Sequence, residues 1–257
     1  MATKLRTLFK MLRLLKNPHT YLSGYLGLRK GILTYKLRNG VRYKIRANAT
    51  DRFIVNEIWL HESYNPKGFE IKKGDVVVDI GAHIGIFTLY AAHHAKNGKI
   101  YSFEPAEDNF RLLKENIRIN NFRNVEVFNK AVGGKKGKLI FFVSQTRNKG
   151  QNSMYKLGES QKEITVDKIS FRDFLKKLEK IDFLKMDCEG AEYDILLSLN
   201  KTELNKIKKI SMEYHNYEGR SGEEIREFLE KKGFRVVLNK GGGQFGGIYA
   251  TNKESQN

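Results

Sequence analysis

The chain has 257 residues, 47 Lys and Arg against 29 Asp and Glu, a net charge of +18 and a single cysteine. That length suits one α/β core with an extension, and one thiol excludes an intramolecular disulfide framework. No apolar run approaches the ~20 residues of a membrane span, and Lys and Arg interrupt the N-terminal apolar residues too often for a secretory signal, so a cytoplasmic protein is expected, at most peripheral to the inner membrane face.

The positive charge is uneven: residues 1–50 hold twelve Lys and Arg and no acid. Within this leader, residues 3–16 place Leu5, Leu8, Phe9, Leu12 and Leu15 on one helical stripe, with Lys4, Lys10, Arg13 and Lys16 elsewhere. Asn17-Pro18 ends the helix. Such a helix can lie apolar side down on an anionic membrane, or pack on the protein body. Residues 33–38 and 41–46 then alternate around Asn39-Gly40, the signature of a two-residue β-hairpin. Its apolar face is Leu33, Tyr35, Leu37, Val41, Tyr43 and Ile45, and its other face is basic. Thr50 is positioned to cap a helix over 51–64 that buries Phe53, Ile54, Ile58 and Trp59 and carries Glu57.

From Asp75 onward strands and helices alternate. Strands are expected near 75–80, 99–104, 124–129, 181–187, 207–213, 234–239 and 244–250, and helices over 84–95, 107–120, 170–179, 190–199 and 221–232. This order specifies an α/β fold, a Rossmann-like and mostly parallel sheet with helices on both faces. Lys240 to Gly243 is too short for a crossover, so the last two strands must be antiparallel neighbours. Residues 1–65 read as a basic extension and 66–252 as the cofactor-binding domain. An extra strand is expected at 138–143, followed by a polar loop, 144–161, placed to cover a substrate.

The first of these strands runs into Asp79-Ile80-Gly81-Ala82-His83-Ile84-Gly85, and the second ends in Glu104. Strand, glycine turn, helix, strand and acid is the order of a half-site for an adenosine-containing cofactor. His83 takes the place of the middle glycine of a dinucleotide fingerprint. Asp79 would repel a pyrophosphate yet hold the ammonium of a cationic amino-acid ligand. The pattern therefore resembles an S-adenosylmethionine site.

A second constellation closes the fourth strand as Asp187-Cys188-Glu189-Gly190-Ala191-Glu192, and the next strand ends in Glu213-Tyr214-His215. Ligands bind beyond the carboxyl ends of parallel strands, so these groups are expected to share a cleft. Methyl transfer to oxygen needs in-line approach and a base for the hydroxyl proton. His215 is the natural base, with Asp187 or Glu213 orienting it or serving instead; Asp187 can equally cap the helix that follows.

Together DIGAHIG, FEP, the NKAVG of 129–133, D-x-E-G-A-E and E-x-H resemble the FkbM family of methyltransferases, from the hairpin to Tyr249. The resemblance implies a class I methyltransferase fold, S-adenosylmethionine as cofactor, and O-methylation of a glycan, glycolipid or small metabolite. It places Asp79, Gly81, His83 and Gly85 around the methionine part, and Glu104 on the ribose. It also places Asn129 and Ala131 at the adenine, and Asp187 and Glu189 where cofactor meets acceptor. His83 departs from the asparagine of many relatives. Two rival readings stand beside it. An RNA methyltransferase using the basic N-terminal segment loses for want of an N-P-P-Y-like tetrapeptide after the fourth strand and of an RNA-binding module. A non-catalytic cofactor-binding protein loses to the intact glycines and acids. No metal centre is expected, since His93-His94 and Cys188 have no partners at ligand spacing; a divalent ion on Asp187, Glu189 and Glu213 is chemically possible but is not the expectation.

Overall fold

The computed structural model describes residues 2–256 apart from 48, 145, 147–159, 218 and 242. In chain order the extension holds α1 (Ala2–Leu14), α2 (Pro18–Tyr25), β1 (Ile32–Lys36), β2 (Arg42–Arg46) and α3 (Asp51–Asn56). The body follows as β3 (Val76–Ile80), α4 (Ile86–His94), β4 (Lys99–Phe103), α5 (Glu107–Asn120) and β5 (Val125–Phe128). Next come β6 (Ala131–Gly133), β7 (Gly137–Ser144), β8 (Gln161–Ser170), α6 (Phe171–Leu175), β9 (Phe183–Met186), α7 (Glu192–Leu197) and α8 (Lys201–Leu204). The chain closes with β10 (Lys209–His215), α9 (Gly222–Lys231), β11 (Phe234–Asn239) and β12 (Phe245–Asn252).

Seven strands form the central sheet in the order β11-β12-β10-β9-β3-β4-β5. β10, β9, β3, β4 and β5 pair in parallel, and β12 runs antiparallel to both β10 and β11. This is the mostly parallel sheet with an antiparallel C-terminal strand that the alternation implies. β3 is central, and four of its five residues are buried, as the uninterrupted apolar run of a two-sided parallel strand requires. The chain leaves β3 toward β4 on one side and reaches β9 on the other, which opens a crevice beyond their carboxyl ends.

The extension is not a separate core. Leu15, Tyr35 and Tyr43 share one apolar cluster with Val77, Phe87, Leu89 and Ile100 of the body. Met11 of α1 and Leu15 just beyond it are buried, and Leu8, Leu12 and Leu14 pack on that cluster, so much of the apolar stripe is used by the body. Phe9 instead stays exposed beneath the Arg13 guanidinium. The side chain of Leu5 lies outside the described residues.

Several local expectations need correction. Pro18, read as a terminator, also opens α2, since a helix tolerates proline in its first turn. The helix over 51–64 is α3 followed by one π turn, Glu57–His61, that stops at Glu62 in the left-handed region. Phe53 is exposed, and Thr50 has helical backbone with no side-chain cap hydrogen bond. The helices expected at 170–179 and 190–199 shrink to α6 and α7. Ser170 caps α6 by accepting from Asp173 N, and the N-cap of α7 is Ala191, not Asp187. The extra strand at 138–143 is β7, but it pairs antiparallel with β8, an unforeseen partner, and β8 continues to β6. The covering loop expected at 144–161 falls almost wholly outside the described residues.

Candidate active site

A cavity of about 660 Å³ lies at the carboxyl ends of β3, β4 and β9, lined by Gly81, His83, Glu104, Ala131, Asp187 and Glu189, among others. Gly81 explains how these parts come so close. Its φ is +80°, and a Cβ there would lie 1.7 Å from the Asp187 carbonyl oxygen, so only glycine lets the β3 turn pack against the end of β9. Gly85, also at positive φ, packs instead against Leu113 and does not line the cavity.

Glu104 is buried at the cavity wall and accepts from His83 N at 2.8 Å and Ala106 N at 2.9 Å. Burial pushes its carboxyl up to about 7 against the pull of those backbone donors. The carboxylate is thus fixed in direction while keeping lone-pair capacity for ligand hydroxyls. His83 is held from the extension: Arg46 Nη2 donates to its Nε2 at 3.1 Å, and Asp51 binds the same guanidinium through both carboxylate oxygens. Burial drives His83 down to about 4, so the ring is neutral. Since Nε2 accepts, Nδ1 carries the proton, and it is buried with no hydrogen-bond partner among the described residues. A buried N–H donor without a partner at a cavity wall is a feature that a ligand's carboxylate would satisfy.

Two further residues assigned to the cofactor sit elsewhere. Asp79 is fully buried, with Thr88 Oγ1 donating to it at 2.7 Å and Lys185 Nζ 3.2 Å away, and it does not line the cavity. Lys185 also donates to the Gly81 carbonyl at 2.8 Å, so the Asp79–Lys185 pair staples the glycine turn to β9. Asn129 spends its side-chain amide on the Glu104 and Pro105 carbonyls, leaving Ala131 with Phe103, Leu139 and Phe141 as the apolar wall. Ile54, expected only as a buried helix residue, also lines the cavity, as do Asn109, Lys130 and Cys188, to which the sequence assigned no place in it.

Asp187 links this cavity to a second. The Tyr64 hydroxyl donates to Asp187 Oδ2 at 2.9 Å, and Tyr64 lines a neighbouring cavity of about 590 Å³ with Glu57, Glu213, Phe245 and Tyr249. The Tyr249 hydroxyl closes that side by donating to the Ser63 carbonyl. Glu57 and Tyr64 come from the extension; from sequence Glu57 can close the site from its helix but reads first as a solvated acid, and nothing in the spacing marks Tyr64.

His215 does not suit the role of neutral base. Its Nδ1 lies 3.2 Å from Glu192 Oε1, and its Nε2 lies 3.3 Å from Glu189 and 3.2 Å from Glu213. Burial alone would lower its affinity for a proton, but the hydrogen bonds to Glu192 and Glu213 and the surrounding negative charge win, raising it to about 11. An imidazolium at neutral pH has no lone pair to offer. Glu192 is fixed in turn by Cys188 N and Gly190 N. Glu189 holds a left-handed backbone, φ 53°, a conformation that costs energy in a non-glycine residue and concentrates at functional sites. Asp187, Glu213 and His215 each offer a ligand atom within 4.8 Å of the others, close enough for a cation, but the His215 nitrogens are already engaged by the carboxylates.

A glycine-turn cavity of this build, on this sheet order, is that of a class I methyltransferase. The chain belongs to the methyltransferase FkbM domain family, which matches residues 79–236, and its cofactor is S-adenosylmethionine. It is 28% identical over 208 residues to "Methyltransferase 1" of Beauveria bassiana, covering 73% of this chain and 82% of that protein. It is 26% identical over 237 residues to the "31-O-demethyl-FK506 methyltransferase FkbM" of Streptomyces tacrolimicus, covering 80% and 90%. Among solved structures, a SAM dependent methyltransferase from Aquifex aeolicus superposes with a TM-score of 0.41 at 18% identity, over 72% of this chain and 85% of that one. The residues present fit the cofactor: the unpartnered Nδ1 of His83, the fixed carboxylate of Glu104 and the apolar wall around Ala131 match its carboxylate, ribose and adenine in kind.

Proposed function

We propose that this chain transfers a methyl group to a hydroxyl of a glycan, glycolipid or small metabolite. One observation carries the reading: Asp187 on the wall of the first cavity is held by Tyr64 on the wall of the second, and that second wall sets Glu57 and Glu213 among the aromatic side chains of Tyr64, Phe245 and Tyr249. Carboxylates serve to accept a hydroxyl proton, and aromatic faces suit the C–H faces of a ring or chain. S-adenosylmethionine, when bound, supplies an electrophilic methyl on a sulfonium. Glu104 and His83 orient the cofactor, and Asp187, held by Tyr64, stands on the side of the first cavity that faces the second. That the Streptomyces relative is named for a 31-O-demethyl acceptor supports oxygen as the atom methylated.

The test incubates the protein with methyl-labelled S-adenosylmethionine and cell extract split into lipid, glycan, RNA and small-molecule fractions. Label is expected as an alkali-stable ether in a fraction other than RNA. Label confined to RNA, or lost to mild base as an ester, contradicts the reading.

A further inference from the structure

The second cavity carries a more specific assignment. Glu57 reaches it because α3 gives way to a π turn at that residue; such turns displace side chains from α register and recur at functional sites. Among the described residues its carboxylate has no hydrogen-bond or ion-pair partner, while His215 is fully engaged by three carboxylates. Lys240, on the same wall, pairs with Glu223 at 2.9 Å. Glu57 and Glu213 therefore set the sign of the cavity, with Glu192 set against the single charge of His215.

We propose that Glu57 is the general base for the acceptor hydroxyl, and that the second cavity admits neutral or amine-bearing hydroxyl compounds and excludes phosphorylated ones; this rests on the hydroxyl-transfer reading above. Glu57 takes the hydroxyl proton as the oxygen–methyl bond forms. The sulfur–methyl bond breaks with its electron pair returning to sulfur, so the products are the methyl ether, the neutral thioether and protonated Glu57. The groups facing Glu57 suit it to this work. Burial first, then the charges of Asp187 and Glu213, push its carboxyl up to about 7, with Lys185 pulling the other way. The hydroxyls of Tyr64 and Tyr249 face the same carboxylate and stay protonated. A base is most effective when its proton affinity lies near the working pH. An anionic acceptor would meet two carboxylates, and among the described residues of that wall the one cation, Lys240, is paired with Glu223.

The test uses the labelled fraction found with the wild-type protein, divided beforehand on anion and cation exchangers, and the variants Glu57→Gln, Glu57→Asp and His215→Gln. Glu57→Gln is expected to lose about 100-fold or more in kcat, the scale of a general base. Its KM and its calorimetric affinity for S-adenosylmethionine should stay within a few-fold, which certifies folding. Glu57→Asp should recover part of the rate. The wild-type rate should rise with pH through about 7, as Glu57 ionises, and that limb should vanish in Glu57→Gln. Label should enter the neutral or cation-exchange pools. A Glu57→Gln enzyme within a few-fold of wild type with its pH limb intact, or label only in the anion-exchange pool, overturns the proposal. Wild-type protein that labels no hydroxyl in any pool overturns the transfer reading, and the proposal falls with it.

Discussion

The Tyr64 hydroxyl donates to Asp187 Oδ2 at 2.9 Å, so a residue from before the sheet fixes the carboxylate at the carboxyl end of β9. Asp187 lines the first cavity and Tyr64 the second. Tyr64→Phe removes the donor and leaves the ring in place. A hydrogen bond to a charged group contributes about 1.5–3 kcal/mol, so methyl transfer should fall by roughly tenfold or more. Affinity for S-adenosylmethionine should change much less. Equal loss of both, measured by calorimetry and labelled-methyl turnover, would show that Tyr64 acts on the cofactor instead.

Arg46 holds two site groups at once. It binds Asp51, which is fully buried, and donates to His83. Arg46→Met leaves the Asp51 carboxylate buried without its cation, a loss of about 3–5 kcal/mol, readable as a lower denaturant midpoint. Adding Asp51→Asn should restore part of it. Cofactor affinity should stay weakened in the double variant, because the His83 tautomer is no longer fixed. Full recovery of affinity would remove His83 Nδ1 from the account.

Gly81→Ala should be severe, since a Cβ would lie 1.7 Å from the Asp187 carbonyl oxygen and φ is +80°. The turn must part from β9, at about 3 kcal/mol or more, with loss of cofactor binding. Gly137→Ala is the control, because nothing lies within 4 Å of a Cβ there; it should stay within about 0.5 kcal/mol. Urea unfolding of both variants settles the comparison.

His215 makes stability depend on pH. Its proton affinity in the folded chain rises to about 11, despite burial, through Glu192, Glu213 and Glu189. The folded state therefore holds a proton that the unfolded chain gives up near 6.5. The stabilisation is complete below about pH 6.5 and is lost as pH rises toward the folded value. One linked proton gives a slope of up to about 1.4 kcal/mol per pH unit. His215→Gln should flatten the decline in unfolding free energy between pH 7 and 10 relative to wild type. An unchanged slope would place the proton elsewhere.

The parts of this site that were legible in the sequence are those set by local backbone demands. The run Val76-Val77-Val78 can be little else than a two-sided strand, Gly81 must follow it where φ turns positive, and Glu104 ends the next strand. The motif ends Asp187–Glu192 and Glu213–His215 fell together because β9 and β10 are parallel neighbours. What escaped depends on docking. Arg46 meets His83, and Tyr64 meets Asp187, only because the hairpin and the π turn pack on the body. Lys185 meets Asp79 by the register of β9 against β3. The charge state of His215 follows from Glu192, which comes from the start of a different helix. β8 was invisible because its exposed and half-exposed residues include Lys162, Glu163, Asp167 and Lys168, a composition that reads as loop until β7 pairs with it.

The most direct measurement is a crystal structure of the full chain with S-adenosylhomocysteine, the product thioether. The account predicts ribose hydroxyls on Glu104, the amino-acid carboxylate on Nδ1 of His83, the adenine against Ala131 and Phe141, and the sulfur turned toward Asp187 and the Glu57 cavity. Thioether bound with its sulfur facing away from Asp187, or with Glu104 and His83 untouched, would contradict it.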